Sequence, residues 1–428
     1  MKVKKTLQTL LIIGFVSFSG CDNIFTANSS DNSDIIISLE SNLTINLAPS
    51  SSENELLTLV DNNNKFAFSI FDKLHKSEEG NIFFSPYSIS EALAIVYAGA
   101  KGDTKTEIAS VFNFNTVDEK NLYESFNALD LHLNSEDENY IFDLSNAIWI
   151  QNNYPVLDSY LDTIKVNYGA KVQAVDFVNK TEESRLAINE WVEEQTHQRI
   201  KDIIPEGGVN KSTPVVITNT VYFKGQWLNN FQKAYTKDDI FTLENGFSTE
   251  TTFMNQYDGN YKYLKESYYQ AIELPYKGKK SSMVIILPDK NELLNTIDNI
   301  ESIYKNIAPM SYQNIILKMP KFEFSTPAYD IKEYLKTLGM ITPFYQGADF
   351  TNMTSDANLF IDSIAHKAFI VVDEDGIEAA AATAVVDSNI SGVANQITFD
   401  INRAFILFIK DNMSGQILFM GLIKEPTP

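Results

Sequence analysis

Hydrophobic residues in this chain recur at two spacings, one typical of helices and one typical of buried strands. Leu, Val, Phe and Ile follow helical spacing over residues 56–75, and residues 184–199 form a second amphipathic pattern. Ser85 and Pro86 precede an Ala- and Leu-rich run over residues 88–100, which predicts a capped helix that ends near Gly99 and Gly102.

Shorter apolar runs predict the strands. Several of these runs are apolar on both faces, as the central strands of a covered sheet are. The predicted strands span residues 141–150, 214–223, 270–274, 282–287, 315–324, 368–372, 396–401 and 405–410. Helices therefore concentrate in the first half of the chain and strands in the second, which predicts the α+β class.

The chain divides into three parts by composition. Residues 1–20 read as an export signal, with a lysine-rich start followed by an apolar run over residues 7–18 that is too short to span a bilayer. Residues 21–52 contain Cys21 and then an Asn-, Ser- and Asp-rich stretch with a β-like island at residues 35–39, which predicts a flexible tether. Residues 53–428 are continuously globular in composition and predict one domain.

Cys21 is the only cysteine in the chain, and the small pair Ser19 and Gly20 precedes it. Residues 18–21 resemble a bacterial lipoprotein signal, which implies that Cys21 is lipidated and becomes the new N-terminus. Several acyl chains on one residue would give stable membrane anchoring. The alternative is an ordinary signal that is cut near Gly20 and leaves a free thiol.

The net charge of −22 and the lack of a basic cluster argue against nucleic acid and anionic membrane surfaces as partners, because both need concentrated Lys and Arg. The four histidines form no metal-ligand pattern, and no G-x-S-x-G motif is present. Residues 99–104 have only a faint likeness to a phosphate loop, and a helix end explains their glycines better. His366 lies between apolar runs and suggests a buried, hydrogen-bonded side chain. No enzyme activity, metal or cofactor is predicted.

Nine short motifs, in order over about 370 residues, resemble those of the serpin family of protease inhibitors. The motifs are Asn81-Ile82-Phe83-Phe84-Ser85-Pro86, Ala98-Gly99-Ala100-Lys101-Gly102-Asp103-Thr104, Ile188-Asn189-Glu190-Trp191, Asn219-Thr220-Val221-Tyr222-Phe223-Lys224-Gly225-Gln226-Trp227, Glu273-Leu274-Pro275-Tyr276, Met319-Pro320-Lys321-Phe322, Leu338-Gly339-Met340, His366-Lys367-Ala368 and Phe419-Met420-Gly421. Each motif is weak alone, and their order makes the resemblance specific.

The resemblance implies a serpin fold, with about nine helices packed around three β-sheets and an exposed reactive loop near the C-terminus. It also implies suicide inhibition: a serine protease cleaves the loop, forms an acyl-enzyme, and is trapped when the cleaved loop inserts into the main sheet. A sheet-opening cluster is assigned to Ser85, Ser88, Asn219, His366 and Trp227. Plain hydrogen-bond satisfaction is a second role for these polar residues, and both roles are compatible.

The alanine-rich segment at residues 374–386 allows two structural interpretations. Four consecutive alanines suggest a helical turn, whereas the β-rich stretch before them and the two valines after them favour a strand. The resemblance assigns the hinge of the reactive loop to the following residues: Glu374, Gly376, Ile377, Glu378, Ala379, Ala380, Ala381, Ala382 and Thr383. If Ile377 points inward after insertion, period-two alternation places small or apolar residues at every inward position through Val385.

Family spacing, counted from both ends of the loop, implies the reactive bond Ile390–Ser391. An aliphatic residue on its N-terminal side suits an elastase-like or subtilisin-like protease, and a cysteine protease is a further candidate target. Three residues depart from the family pattern, namely Ile377, Asp387 and Ala404. The first two bear on how fast the loop inserts, and the third should have no functional effect.

Three hypotheses for function remain after the sequence is read. A suicide inhibitor of serine proteases is favoured, a non-inhibitory serpin-fold binding lipoprotein is the alternative, and an enzyme has no supporting residues. The protein is expected to be an exported monomer in a bacterial cell envelope, held to the membrane by its lipid anchor only, or otherwise extracellular.

Overall fold

The computed structural model describes residues 35–134, 140–377 and 396–427. Its architecture is α+β, as predicted. In the described residues the α-helices are α1 (Glu53–Ser77), α2 (Pro86–Gly99), α3 (Gly102–Phe112), α4 (Glu119–Leu133), α5 (Asp158–Tyr168), α6 (Thr181–Gln195), α7 (Leu293–Asp298), α8 (Ile300–Asn306) and α9 (Ile331–Thr337).

The strands of the described residues form three sheets. They are β1 (Ile37–Leu39), β2 (Ile82–Phe84), β3 (Tyr140–Gln151), β4 (Val172–Val175), β5 (Val215–Gln226), β6 (Lys237–Thr242), β7 (Ser248–Lys265), β8 (Tyr269–Pro275), β9 (Ser281–Pro288), β10 (Ser311–Pro320), β11 (Phe322–Ser325), β12 (Tyr329–Asp330), β13 (Ser363–Lys367), β14 (Phe369–Val372), β15 (Gly376–Ile377), β16 (Ile397–Asp400), β17 (Phe405–Asp411) and β18 (Ile417–Ile423).

The sheet that positions the candidate site has the strand order β1-β4-β3-β5-β13-β12, and β15 pairs with β5. Its long central strands, β3 and β5, are antiparallel, and β13 runs parallel to β5. A second sheet has the order β16-β10-β7-β8-β9-β17-β18-β2, with β6 on β7, and the third joins β11 to β14. We call the first of these the main sheet.

Helix α2 lies under the main sheet and is buried along its whole length. Ser85 caps it, with its Oγ accepting from Ser88 N, and Pro86 occupies the first helical position, where no hydrogen-bonded N–H is required. The helix ends at Gly99, where a Cβ would lie 2.7 Å from Met353 Cβ. The glycines of residues 99–104 therefore mark a helix end and a close packing contact, as the sequence indicated.

Helix α6 packs on the opposite face of the main sheet. A separate core cluster forms there, and Trp149 of β3, Ile188 and Val192 of α6, and Val216 of β5 are among its members. Residues of β5 therefore alternate between two cores, with Val215, Ile217, Val221 and Phe223 on the α2 side. The main sheet is covered on both faces, which explains the near-continuous apolar runs in its strands.

The expected tether is corrected for residues 35–52, because these residues contact the domain. Strand β1 adds to the edge of the main sheet by antiparallel pairing with β4. Farther along, Asn46 N donates to Val166 O at 2.9 Å, and Ser50 N donates to a carboxylate oxygen of Glu124 at 3.0 Å. The polar composition suggested a solvated chain, but these groups bond to the domain, and Ser52 caps α1.

One predicted strand, residues 315–324, is two strands in different sheets. Strand β10 ends at Pro320, and β11 begins at Phe322 in the two-stranded sheet. Pro320 has no N–H to continue a ladder, so the chain changes sheets there. Lys321 lies at the break, and its side chain becomes part of the candidate site. Within the described residues, none of the helices combines the length and the hydropathy needed to cross a bilayer.

Candidate functional site

The site is built around one strand, β5, whose two halves have different neighbours. Its lower half pairs with β13 through five residues, from Val216 opposite Ser363 to Thr220 opposite Lys367. The chain then continues into β14, which pairs with β11 and not with β5. Among the described residues, Val221–Lys224 of β5 has no strand partner on this side. We call this gap between β5 and β14 the slot.

The open end of the slot is occupied by β15, the two hinge residues Gly376 and Ile377. They pair antiparallel with β5, Gly376 opposite Gln226 and Ile377 opposite Gly225. Ile377 is 3% exposed and belongs to the main core, so it points inward as the sequence analysis supposed. Gly376 has φ +141°, and a Cβ there would lie 2.1 Å from Gly225 O, so only glycine fits this approach.

Glu374 of the hinge and its neighbour Asp375 are held by side chains at the open end of the slot. Glu374 accepts from Lys321 Nζ at 2.9 Å and from Thr236 Oγ1 at 2.8 Å. Asp375 accepts from Asn230 Nδ2 at 2.9 Å and pairs with Lys233 Nζ at 3.3 Å. Burial alone would raise the pKa of Glu374, but the hydrogen bonds from Lys321 and Thr236 outweigh it and lower that pKa.

Trp227 also lies at the open end of the slot. Its indole Nε1 donates to Asp373 O at 2.9 Å, its backbone N donates to Asp375 O at 3.0 Å, and its ring stacks on Tyr276 with centroids 4.8 Å apart. Trp227 does not lie with the other predicted sheet-opening residues, Ser85, Ser88, Asn219 and His366. Asn219 and Trp227 are eight positions apart along an extended chain, a separation of roughly 26 Å.

The other four predicted residues of that group do come together, beneath the lower half of β5. His366 is fully buried; Ser85 N donates to its Nε2 at 3.2 Å, and its Nδ1 lies 2.5 Å from Asn219 Oδ1. Because Nε2 accepts, the imidazole hydrogen lies on Nδ1 and donates to Asn219. Asn219 Nδ2 in turn donates to Ser88 Oγ at 2.7 Å.

Sequence reasoning missed a fifth member, Asn146 of β3. Its Oδ1 accepts from Asn219 Nδ2 and from Ser88 Oγ. A lone asparagine inside the apolar run of residues 141–150 was the available signal, because a polar residue inside a buried strand needs partners. We call Ser85, Ser88, Asn146, Asn219 and His366 the buried polar cluster. Its bond between Asn219 and His366 joins β5 directly to β13.

The buried polar cluster is neutral. Burial lowers the pKa of His366 to about 3, so the imidazole carries no charge at neutral pH. The burial and hydrogen bonds of His366 agree with the prediction made for this residue. Among the described residues, no group of three or more His, Cys, Asp or Glu could hold a metal ion.

Several predicted site residues lie outside the described residues. They are Cys21, the later hinge positions Glu378, Ala379, Ala380, Ala381, Ala382 and Thr383, and the reactive bond Ile390–Ser391. Of the predicted hinge, the structure therefore describes Glu374, Gly376 and Ile377. It adds four residues whose contacts the sequence did not reveal: Lys321 and Thr236 hold Glu374, and Asn230 and Lys233 hold the neighbouring Asp375.

Comparison with known proteins agrees with this geometry. The family model described as Serpin (serine protease inhibitor) matches residues 61–426. Human Serpin B4 is 36% identical over 389 residues, which covers 86% of this chain and 100% of the relative. The leukocyte elastase inhibitor of Sus scrofa is 36% identical over 375 residues, covering 85% and 98%.

The crystal structure of a thermophilic serpin, tengpin, in the native state superposes with a TM-score of 0.82 at 26% identity. The match covers 91% of this chain and 100% of that chain. The nine helices and three sheets of the described residues are those that the resemblance implied. Together these matches show that the chain belongs to the serpin family.

Proposed function

We propose that this protein inhibits serine proteases as a suicide substrate, by inserting its cleaved reactive loop into the slot. The observation that carries the proposal is the antiparallel pairing of Gly376 and Ile377 with β5, directly beside residues 221–224 of β5, which have no strand partner on that side among the described residues. The first two residues of the inserting strand are thus already in register, and the residues that follow them have a defined path.

Extending that register predicts the inserted state. Ala379 would lie opposite Phe223, Ala381 opposite Val221 and Thr383 opposite Asn219. Directly opposed residues of an antiparallel pair point to the same face, so these three side chains would enter the core on the α2 side. All three are small, and a larger or charged residue would not fit between α2 and the sheet.

Insertion beyond Ala381 requires β13 to separate from β5, because these two strands are paired from Thr220 to Val216 of β5. The step breaks the hydrogen bond between His366 and Asn219. The buried polar cluster therefore closes the lower sheet in the native state and must open during inhibition. This is the physical basis for its assigned role.

The free energy gained by loop insertion is comparable to the free energy of unfolding of a protease domain. Insertion of roughly ten residues, at about 0.5–1.5 kcal/mol net per ladder hydrogen bond, yields on the order of 10 kcal/mol. A protease domain is stable by about 5–15 kcal/mol. Insertion can therefore distort a captured protease enough to stall deacylation, provided that the uninserted state is kinetically trapped.

The experiment is incubation of the protein with elastase-type, subtilisin-type and trypsin-type serine proteases and with a cysteine protease. We expect a complex with an elastase-like or subtilisin-like enzyme that survives boiling in detergent, and release of a C-terminal peptide that begins at Ser391. The serpin of Sus scrofa named leukocyte elastase inhibitor supports this target class. Cleavage of the loop while every protease stays active would overturn the proposal and favour a non-inhibitory binding role.

A matched pair of loop variants tests the insertion register. Ala381→Arg places a charge on the inward face opposite Val221 and should turn the inhibitor into a plain substrate. Ala380→Arg, one residue earlier, would lie opposite half-buried Tyr222 on the other face and should still form the complex. Equal complex formation by both variants would contradict the register.

We also propose that Cys21 is lipidated and anchors the exported protein to a bacterial envelope membrane. The support is the position of the single cysteine directly after a signal-like segment. Expression with a labelled fatty acid should label the wild-type chain and leave Cys21→Ser unlabelled and released. Label retained by Cys21→Ser would contradict the anchor at this residue.

A further inference from the structure

The two ends of the main sheet differ in what enters them. At the open end of the slot, the hinge residue Gly376 pairs with Gln226 of β5. The opposite end lies at Val215, the first residue of β5. We call it the closed end. Val215 and Gln226 are eleven positions apart on the strand, a separation of roughly 36 Å.

Strand pairing places β1, and with it the N-terminal chain, at the closed end. One row of paired residues crosses the sheet there, made of Ile37 of β1, Ala174 of β4, Ile150 of β3 and Val215 of β5. Strand β1 is antiparallel to β4, β4 is parallel to β3, and β3 is antiparallel to β5. Strand β1 therefore runs toward the open end, and the chain that precedes Ile35 leaves the domain at the closed end.

The contacts of β1 and the residues after it fix this exit point relative to the domain. Ile36 packs against the core cluster on the α6 side of the main sheet. Ser41 Oγ donates to Asp162 Oδ1 of α5. Lys165 Nζ, also on α5, lies 3.5 Å from Glu40 Oε2. The N-terminal chain is thus attached to both the sheet and a helix beside it.

Insertion of the reactive loop would bring a trapped protease to the same end. Extending the register of Gly376 and Ile377 places Asp387 opposite Val215. Ile390, which the proposed mechanism joins to the protease as an acyl group, follows three residues later and would lie beyond the closed end. From the inserted strand to β1 there are four strand spacings, roughly 19 Å.

The size of a protease decides what it meets there. A compact domain of about 250 residues has a radius of gyration of about 18 Å and therefore a diameter of about 46 Å. That diameter exceeds the distance from the inserted strand to β1. A trapped protease would therefore lie beside the point where the N-terminal chain leaves the domain.

We propose that the anchored protein displays its reactive loop away from the membrane and carries a trapped protease to the membrane-facing closed end, where the chain between Cys21 and Ile35 must extend to make room for it. The inference rests on the proposed function and on attachment to the membrane through Cys21. It gives the length of residues 22–34 a part in inhibition at a membrane.

The available length is close to what is needed. Fourteen steps separate Cys21 from Ile35, and when fully extended they span at most about 48 Å. A flexible chain of this length has a root-mean-square extension of about 20 Å. A protease about 46 Å across therefore fits between the domain and the membrane only when the chain is nearly extended.

The first test measures where the protease lies. The full chain is coupled through Cys21, its only cysteine, to a maleimide phospholipid in phosphatidylcholine vesicles that contain an energy-transfer acceptor lipid. The donor dye is on a serine protease that forms the detergent-stable complex with the uncoupled chain. We expect the transfer to rise as the complex forms. The same protease with its catalytic serine replaced by alanine binds the loop without cleaving it and should give only weak transfer.

The second test changes the length of the chain. Deletion of residues 24–31 leaves six of the fourteen steps, which span at most about 20 Å. This variant should form the complex about tenfold more slowly on vesicles than the coupled wild type, because its chain cannot span the protease. Without vesicles it should react at the wild-type rate. Replacement of residues 24–31 by eight alternating Gly and Ser residues keeps the length and should behave as the wild type on vesicles.

Two results would overturn the inference while leaving the proposed function intact. One is complex formation on vesicles with no more transfer than the inactive protease gives, which would mean that the protease does not reach the membrane-facing end. The other is a deletion variant that reacts equally fast on vesicles and in solution. If the uncoupled chain forms no complex with any protease, the proposed inhibition itself fails, and that result is obtained before any vesicle is used.

Discussion

The two halves of strand β5 are held in different ways. In the lower half, β5 and β13 form five residue pairs, and the neutral, fully buried bond between His366 and Asn219 joins them from below. In the upper half, β5 does not pair with β14, and the short hinge strand β15 lies beside β5 instead. The residues just before β15, Glu374 and Asp375, form ion pairs with the partly exposed lysines Lys321 and Lys233.

The difference separates two energetic tasks. Buried neutral hydrogen bonds are costly to break, because each group left unpaired has no access to water. Half-exposed ion pairs contribute little, since water and salt compete for both partners. The lower half of β5 should therefore set the barrier to full insertion, and the upper half should set only how firmly the hinge is docked.

The largest effect is expected from Asn219→Ala, which removes the centre of the buried polar cluster. His366, Ser88 and Asn146 each lose a partner, and we expect a loss of about 3 kcal/mol in the free energy of unfolding. If the loss falls on the opening step, spontaneous conversion to the inserted form should be about 100-fold faster. Urea unfolding and the half-life of inhibitory activity measure the two quantities.

The control for that variant is Thr220→Val. Thr220 is the next residue of β5 and is also fully buried, but its Oγ1 donates to Ser145 O of β3 and so does not join β5 to β13. Thr220→Val should lower the free energy of unfolding by about 1 kcal/mol and leave the rate of conversion to the inserted form nearly unchanged. Equal acceleration by both variants would show that the cluster has no special part in opening the sheet.

The second effect is the pH dependence of stability that His366 gives to the lower half. The pKa of His366 is about 3 in the folded protein and about 6.5 in an unfolded chain, so the unfolded chain binds a proton first as the pH falls. Stability is fully present above pH 6.5 and falls as the pH drops toward 3. At pH 5 the loss is about 2 kcal/mol.

His366→Gln isolates this contribution, because glutamine does not titrate. Asp130 acts in the opposite sense, since its pKa is raised to about 7 in the folded protein, and it titrates in both chains. The quantity to measure is therefore the difference in unfolding free energy between wild type and variant at pH 7.5 and at pH 5. A difference that is the same at both pH values would mean that His366 is not held neutral.

Much of the fold was predictable from the sequence. The main-sheet strands β3 and β5 and the second-sheet strands β8, β9 and β17 each lie within a few residues of their predicted bounds, because an apolar run between polar flanks identifies a covered strand. The contact of residues 35–52 with the domain was not predictable, because their polar groups bond to partners supplied by distant residues such as Val166 and Glu124.

The candidate site divides in the same way. His366, Asn219, Ser85 and Ser88 could be named from motifs, and inward-pointing Ile377 followed from strand alternation. The contacts of Lys321 and Thr236 with Glu374 could not be predicted, although Lys321 stands in one of the motifs, because they join residues separated by 53 and 138 positions. A partly buried lysine or threonine carries no sequence signal of such a contact.

The smallest effect is expected at the open end of the slot, from Lys321→Met. The variant removes the ion pair with Glu374, whose lysine side chain is 38% exposed, so docking of the hinge should weaken by about 1 kcal/mol. The pair also makes docking acid-sensitive. The pKa of Glu374 is lowered in the folded protein, so its contribution is present above the usual carboxylate pKa and is lost as the pH falls through the lowered value.

Thiol labelling of Ile377→Cys in a Cys21→Ser background measures that docking, because a buried thiol reacts only when the hinge leaves the slot. Lys321→Met should raise the labelling rate about fivefold, which corresponds to the loss of about 1 kcal/mol. Lys318→Met is the control. Lys318 lies on β10, its Nζ is 3.1 Å from a carboxylate oxygen of Asp239 on β6, and the loss of this ion pair should not change the labelling rate. If Lys321→Met also left the rate unchanged while Asn219→Ala raised it, the neutral cluster would hold both halves of β5, and the division of tasks would be wrong.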